Sequence, residues 1–355
     1  MRERISGKDR RMKRFHGIEV DRPLGIKGKS GYGVSIAIAK KEDTEIYCSG
    51  SGRFGQDFPV HPDMLFQAGS VSKPAFALTL LRYFDKGVID LDADISGVIK
   101  EFVTTPITFS ALLSHTAGFN LRDFPGYRAN APLLTAEDIL SGRGNTPKLR
   151  RIKPYGKQYG YSGGGVTLAE LAFTRITGMT LRDAFRKEVA EPLGLTRTGF
   201  FQPLDEHLIP DAAFGGRLGI KEDPAHGYHY YPELAAAGLW STPTELAKIG
   251  IALGRSVREG GLLKKDTAVR MLTPVMDGYG LCIENIGGDV GFHGGWNEGF
   301  LTKWMFSLRE DLCVTCMLNK STHPLSYRQR EITNELFRAA ERVPSREEYD
   351  GMTGI

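Results

Sequence analysis

The chain has 355 residues, 41% of them hydrophobic and 25% charged, with a formal net charge of +4. That length and apolar content can bury a sizeable core, as one large domain or two modest ones sharing an interface. No apolar run approaches the roughly 18 residues a membrane span needs, and so small a net charge gives no ground for a nucleic-acid partner.

Arg2, Arg4, Lys8, Arg10, Arg11, Lys13 and Arg14 crowd the start of the chain, so residues 1–24 read as a solvated basic tail. Phe15 to Pro23 is mixed polar and apolar, no secretory signal is visible, and a cytoplasmic location is expected. Gly33 to Lys40 and Glu45 to Arg53 are β-rich runs split by Lys41-Glu42-Asp43-Thr44, the pattern of an antiparallel hairpin. From Ser70 to Lys264 helical spacing dominates: Phe76, Leu80, Phe84; then Leu168, Leu171, Ala172, Ile176; then Leu246, Ile249, Leu253. Leu281 to Ile286, Phe300 to Leu308 and Leu312 to Leu318 are further strand-like runs between glycine-rich or charged turns, and Ser326 to Val343 predicts a closing amphipathic helix.

Strands at both ends with helices between them imply an α+β fold. One antiparallel sheet is assembled from the two chain ends and flanked by helices, with a mostly helical region inserted between its strands. The expected division is a sheet domain from residues 25–69 and 270–345 and a helical region over 70–269.

Cys48, Cys282, Cys313 and Cys316 form no disulfide framework for a chain this long and suit a reducing compartment. Cys313 and Cys316 have metal-ligand spacing, but three residues apart in a strand they face opposite ways, and no second pair of ligands lies nearby. His226 and His229 lie in an aromatic, glycine-containing loop without cysteine or carboxylate to complete a site. No metal or organic cofactor is expected.

Three segments carry chemistry. In Phe66-Gln67-Ala68-Gly69-Ser70-Val71-Ser72-Lys73 a serine at a helix start has a lysine one turn later on the same face. A serine hydroxyl becomes a nucleophile when a neighbour takes its proton, and a lysine can do so once desolvation lowers its pKa. The helix start adds the Ser70 amide as a donor to a developing oxyanion. In Tyr159-Gly160-Tyr161-Ser162-Gly163-Gly164-Gly165, Tyr161 precedes a glycine-rich turn that allows close approach, and a cationic Lys73 beside it would favour its phenolate as a second base. In Gly291 to Phe300, the glycines around His293-Gly294-Gly295 let a substrate lie along the edge of the following strand, with the Trp296 N–H as second oxyanion donor. His115, in Ser114-His-Thr-Ala-Gly118, is read as a hydrogen-bonding residue that shapes the inserted region.

These segments, in this order and spacing, resemble the serine β-lactamase and penicillin-binding-protein superfamily, in particular its class C-like esterase branch of the family VIII type. Ile107 to Phe119, Glu191 to Phe200 and Ala235 to Leu246 are similar as well, so the likeness runs from about Gly33 to Asn319. It implies a β-lactamase/transpeptidase-like fold, Ser70 as acyl-accepting nucleophile, Lys73 as its proton partner, Tyr161 as second base and His293-Gly294-Gly295 as the third motif. Two positions depart from the pattern. Gly163 stands where the second motif usually has asparagine, and His293 stands where penicillin-recognising members have lysine.

The expected activity is therefore a serine hydrolase acting on small esters or amides through an acyl-enzyme. A D-aminopeptidase, amidase or β-lactamase is the alternative within enzymes, and a slowly deacylating acyl-binding sensor the alternative outside them. The expected partner is a small ester, amide or peptide-like substrate.

Overall fold

The structure is a computed structural model that describes residues 14–28, 31–128, 130–215 and 227–342. The basic cluster up to Lys13, and His226, lie outside the described residues. Residues 14–24, expected as the rest of a solvated tail, are instead folded: Arg14–Phe15 pairs with Ile18–Glu19, and Phe15, Val20 and Leu24 are buried in the core.

Strands β1 (Val34–Lys40) and β2 (Asp43–Ser49) form the expected hairpin. Its turn is shorter than the polar run suggested. Only Lys41 and Glu42 are outside the ladder, and Asp43 and Thr44 pair with Lys40 and Ala39. Strand β2 is the sheet edge and is largely exposed over its first four residues, so polar side chains cost it nothing there.

Helix α1 (Ser72–Asp85) buries Phe76 and Leu80, and helix α2 (Gly163–Thr177) buries Leu168, Leu171 and Ala172. Ile176, last of that stripe, is exposed. Ser162 caps α2 by accepting the Gly165 N–H, and Gly178 ends it with a left-handed φ of 67°. Helix α3 (Pro243–Glu259) starts at the cap Thr242 with Pro243 in its first turn.

The chain returns to the sheet through β3 (Glu284–Ile286), β4 (Val290–Asn297), β5 (Phe300–Ser307) and β6 (Leu312–Leu318), and closes with helix α4 (His323–Arg342). The six strands run β3-β4-β5-β6-β1-β2, antiparallel throughout. Within this sheet the first strand in chain order thus pairs with the last, which joins its N-terminal and C-terminal parts.

Two expectations change. Leu281, Cys282 and Ile283 are buried but precede β3, and Cys282 has a left-handed φ of 58° that a strand cannot hold. His293-Gly294-Gly295 belongs to strand β4 itself and not to a turn before a strand, because an eight-residue ladder with β5 outweighs the poor strand propensity of glycine.

Alternation on β6 sorts the core into two layers. Leu312, Val314, Cys316 and Leu318 join Leu325, Ile332, Leu336 and Phe337 on the α4 face, whereas Cys313 and Met317 join the opposite layer with Leu246, Ile249 and Leu253 of α3. The two cysteines of the Cys-x-x-Cys pattern therefore lie in different layers.

Leu336 is fully buried in the α4 layer, away from α1 and α2. Leu336→Ala is expected to destabilise the chain by ~2–5 kcal/mol through lost burial and a cavity, read as a lower urea midpoint.

Candidate active site

A short strand, Phe66–Gln67, pairs with Leu239–Ser241 and delivers the chain into a 3₁₀ turn over Gly69–Val71 that runs on into α1. Gly69 has a left-handed φ of 55°, and a Cβ there would lie 2.6 Å from the Trp296 backbone nitrogen. Only glycine lets this turn touch β4. Ser72 pins the turn: its Oγ donates to the Gly69 carbonyl at 2.6 Å and accepts the Leu239 N–H at 2.9 Å.

One helical turn after Ser70, Lys73 is 2% exposed. Its Nζ lies 3.0 Å from Ser70 Oγ and donates to the Ala236 carbonyl at 2.8 Å. Burial lowers its pKa from 10.5 to about 8, opposed by the negative charge of Asp123. Lys73 therefore has an appreciable neutral fraction near physiological pH.

The Tyr161 hydroxyl lies beside that of Ser70, and Lys73 Nζ stands 5.0 Å from the Tyr161 ring centroid. The expected phenolate is disfavoured. Burial of the hydroxyl raises the Tyr161 pKa far above 10, more than the bond from Ser70 lowers it. Tyr161 is thus a proton donor at rest. Behind it, buried His115 packs its ring 4.5 Å from that of Tyr161 and accepts the Ser162 N–H on Nδ1 at 3.2 Å. The histidine fixes the turn that presents Tyr161.

The third wall is the edge of β4. Strand β3 covers it only over Val290–Phe292, so among the described strands none pairs with Gly294 or Trp296 on that side. Gly295 is obligatory, since a Cβ there would lie 1.9 Å from the Ala68 carbonyl oxygen. Asn297 ties the strand to the segment leading into Ser70: its Nδ2 donates to Gln67 Oε1 at 2.8 Å and to the Ala237 carbonyl at 3.0 Å. The Trp296 indole points to the other face, 4.7 Å from the His323 ring, leaving its backbone on the site side.

His293 is 3% exposed and both its ring nitrogens are engaged, Nε2 with the Tyr279 hydroxyl at 2.8 Å and Nδ1 with the Gly294 carbonyl at 2.8 Å. Burial and the nearby Lys73 charge lower its pKa to about 3, so it supplies no positive charge at neutral pH.

Ser70, Lys73, Tyr161, His293, Gly294, Gly295 and Trp296 are thus brought together from elements far apart in the chain. Gln67, Ser72, Asn297 and Tyr279, which hold these groups in place, are not apparent from the sequence, because each acts on a partner distant in sequence or on backbone. His229 lies apart, with Nδ1 on the Pro125 carbonyl at 2.9 Å, and among the described residues no group of three or more His, Cys, Asp or Glu could hold a metal.

Residues 25–337 match the Beta-lactamase family. The chain belongs to that family. Penicillin-binding protein 4 of Amycolatopsis lactamdurans is 25% identical over 218 residues, 57% of this chain and 54% of that protein. Esterase EstB of Burkholderia gladioli is 27% identical over 182 residues, 47% of this chain and 46% of that one. The chain spans about half the length of these curated relatives. D-amino acid amidase from Ochrobactrum anthropi SV3, solved with L-phenylalanine amide, shares the fold at a TM-score of 0.68 and 23% identity, over 87% of this chain and 92% of that one. The relatives of this family member include hydrolases.

Gly163, at the second motif's asparagine position, has no room for a side chain. A Cβ there would lie 2.6 Å from Phe124 Cε2 and 3.0 Å from the Arg122 carbonyl oxygen, which accepts the Gly163 N–H at 3.2 Å. The Arg122-Asp123-Phe124 loop occupies that space, and the Arg122 guanidinium lies 5.3 Å from the Tyr161 ring centroid. Restoring the motif with Gly163→Asn is therefore expected to destabilise the chain by ~1–3 kcal/mol, and adding Phe124→Ala to recover part of it, checked by the melting temperatures of both variants.

Proposed function

We propose that the chain is a serine hydrolase that cleaves small carboxylic esters or amides through an acyl-enzyme on Ser70. The observation that carries the reading is the 3.0 Å contact between Ser70 Oγ and the Nζ of a buried Lys73 whose pKa is lowered to about 8. Neutral Lys73 takes the Ser70 proton as Oγ attacks the carbonyl carbon. The Ser70 and Trp296 N–H groups receive the oxyanion. Protonated Tyr161 donates to the leaving oxygen or nitrogen as its bond to carbon breaks, and regains a proton from the Lys73 ammonium. Water then attacks the acyl carbon, giving a proton to neutral Lys73, and that proton passes to Ser70 Oγ as its bond to the acyl carbon breaks.

Esters and amides are favoured over β-lactams because position 293, lysine in the penicillin-recognising members that the chain resembles, holds a histidine and no fixed cation. His293 is neutral with both nitrogens engaged. Turnover of p-nitrophenyl butyrate with little nitrocefin cleavage is expected. A nitrocefin burst without turnover would instead favour the sensor reading.

Ser70→Ala is expected to lower kcat/KM for p-nitrophenyl butyrate at least ~10³-fold without lowering the melting temperature. A variant that kept most of its turnover would refute the assignment. The pH profile follows from Lys73. The amine accepts a proton only when neutral, so kcat/KM should rise about tenfold per pH unit below pH 8 and level off above it. A profile flat from pH 6 to 9 would exclude Lys73 as the base.

A further inference from the structure

Tyr279 is absorbed by none of the three motifs, yet it is 2% exposed and sits among the site's rings, with centroids 5.0 Å from His115, 5.5 Å from Tyr159 and 6.3 Å from Tyr161. Its hydroxyl meets His293 Nε2 at 2.8 Å, and His293 Nδ1 meets the Gly294 carbonyl at 2.8 Å. A carbonyl can only accept, so Nδ1 carries the proton. A neutral imidazole protonated on Nδ1 has a lone pair on Nε2, and the Tyr279 hydroxyl donates to it. The two contacts therefore define one tautomer and one direction of donation, from Tyr279 through His293 to Gly294.

The Gly294 carbonyl matters because of where it points. Asn297 and Phe300 close a two-residue turn and form a hydrogen-bonded pair, and the Leu308 N–H donation to the Asp289 carbonyl at 2.8 Å fixes the same parity at the other end of the ladder. Odd-numbered residues of β4 therefore bond β5. Gly294 and Trp296 turn their N–H and C=O groups toward the uncovered edge, beside Ser70. On that side no described strand meets the Gly294 carbonyl, and an oxyanion donor is effective only when its direction is set beforehand.

We infer that Tyr279 is a positioning residue: by donating to His293 Nε2 it holds the imidazole as the Nδ1–H tautomer, whose donation to the Gly294 carbonyl fixes the peptide plane leading to the Trp296 oxyanion donor. His293 thereby acts on the strand edge and not on substrate charge. The inference rests on the acyl-enzyme reading of this site. It also assigns the histidine of the third motif a role that lysine could not fill in the same way, since an ammonium has no acceptor for the tyrosine.

The test combines a spectroscopic readout that is independent of activity with kinetics. In ¹⁵N-labelled protein at pH 7, the His293 resonances, assigned by their loss in His293→Ala, are expected to show a protonated Nδ1 and an unprotonated Nε2. Tyr279→Phe keeps the ring packing and removes only the donor, and should shift His293 toward the opposite tautomer. With p-nitrophenyl butyrate, Tyr279→Phe is expected to lower kcat about 5- to 20-fold with KM changed less than about 2-fold, the split expected when transition-state stabilisation alone is lost. In a His293→Ala background the same change should lower kcat less than about 2-fold further, because the pathway is already broken. A wild-type His293 protonated on Nε2 overturns the inference whatever the kinetics, and so does an unchanged kcat in Tyr279→Phe or full additivity of the two substitutions. Loss of turnover in Ser70→Ala with a wild-type His293 protonated on Nε2 would leave the acyl-enzyme reading standing and remove only this one.

Discussion

The burial of Lys73 against Ser70 is the constraint on which the site depends. An ammonium placed there with no hydrogen-bonded carboxylate is unfavourable, and the fall in pKa from 10.5 to about 8 corresponds to a cost of ~3 kcal/mol that is full below pH 8 and fades as pH approaches 10.5. The folded state binds the lysine proton less tightly than the unfolded chain does, which fixes that sign. Packing of α1 and the Ala236 carbonyl hold the side chain in place, so the destabilised ammonium becomes a ready amine. The same burial raises Tyr161, so the two groups shift in opposite directions, Lys73 toward the neutral amine and Tyr161 toward the protonated phenol.

Close backbone approach is the second constraint. The Gly69–Val71 turn and the edge of β4 meet only because Gly69 and Gly295 have no Cβ, with would-be contacts of 2.6 Å and 1.9 Å to backbone atoms. The Gln67–Asn297 pair and the Ser72 bonds then hold the two segments in register. The six-stranded sheet makes this possible by pairing β1 with β6, so that the edge of β4 and the N-terminus of α1 are parts of one body.

Much of this was legible in the sequence. The apolar stripes of α1 and α3, the runs of β1, β5 and β6 and the closing helix follow from local periodicity, and the spacing of Ser70 and Lys73 follows from one turn of helix. Strand β4 was hidden because three glycines obscure its pattern, and only its ladder with β5 makes it a strand. A Tyr161 phenolate is disfavoured because burial, which a sequence does not reveal, raises the pKa of its hydroxyl. Tyr279 and Asn297 left no local signal, since the first acts through His293 and the second through Gln67, 230 residues away. The absence of asparagine at Gly163 was visible, but its cause, the side chain of Phe124 in that space, lies in a loop about forty residues earlier.

The most direct measurement is rapid acid quench of the protein with p-nitrophenyl butyrate, followed by peptide mapping by mass spectrometry. A butyryl group on the peptide containing Ser70, formed and lost at rates that account for turnover, is the expected result. Steady turnover with no acyl group on that peptide, or with the group on another residue, would contradict the assignment of Ser70 as nucleophile.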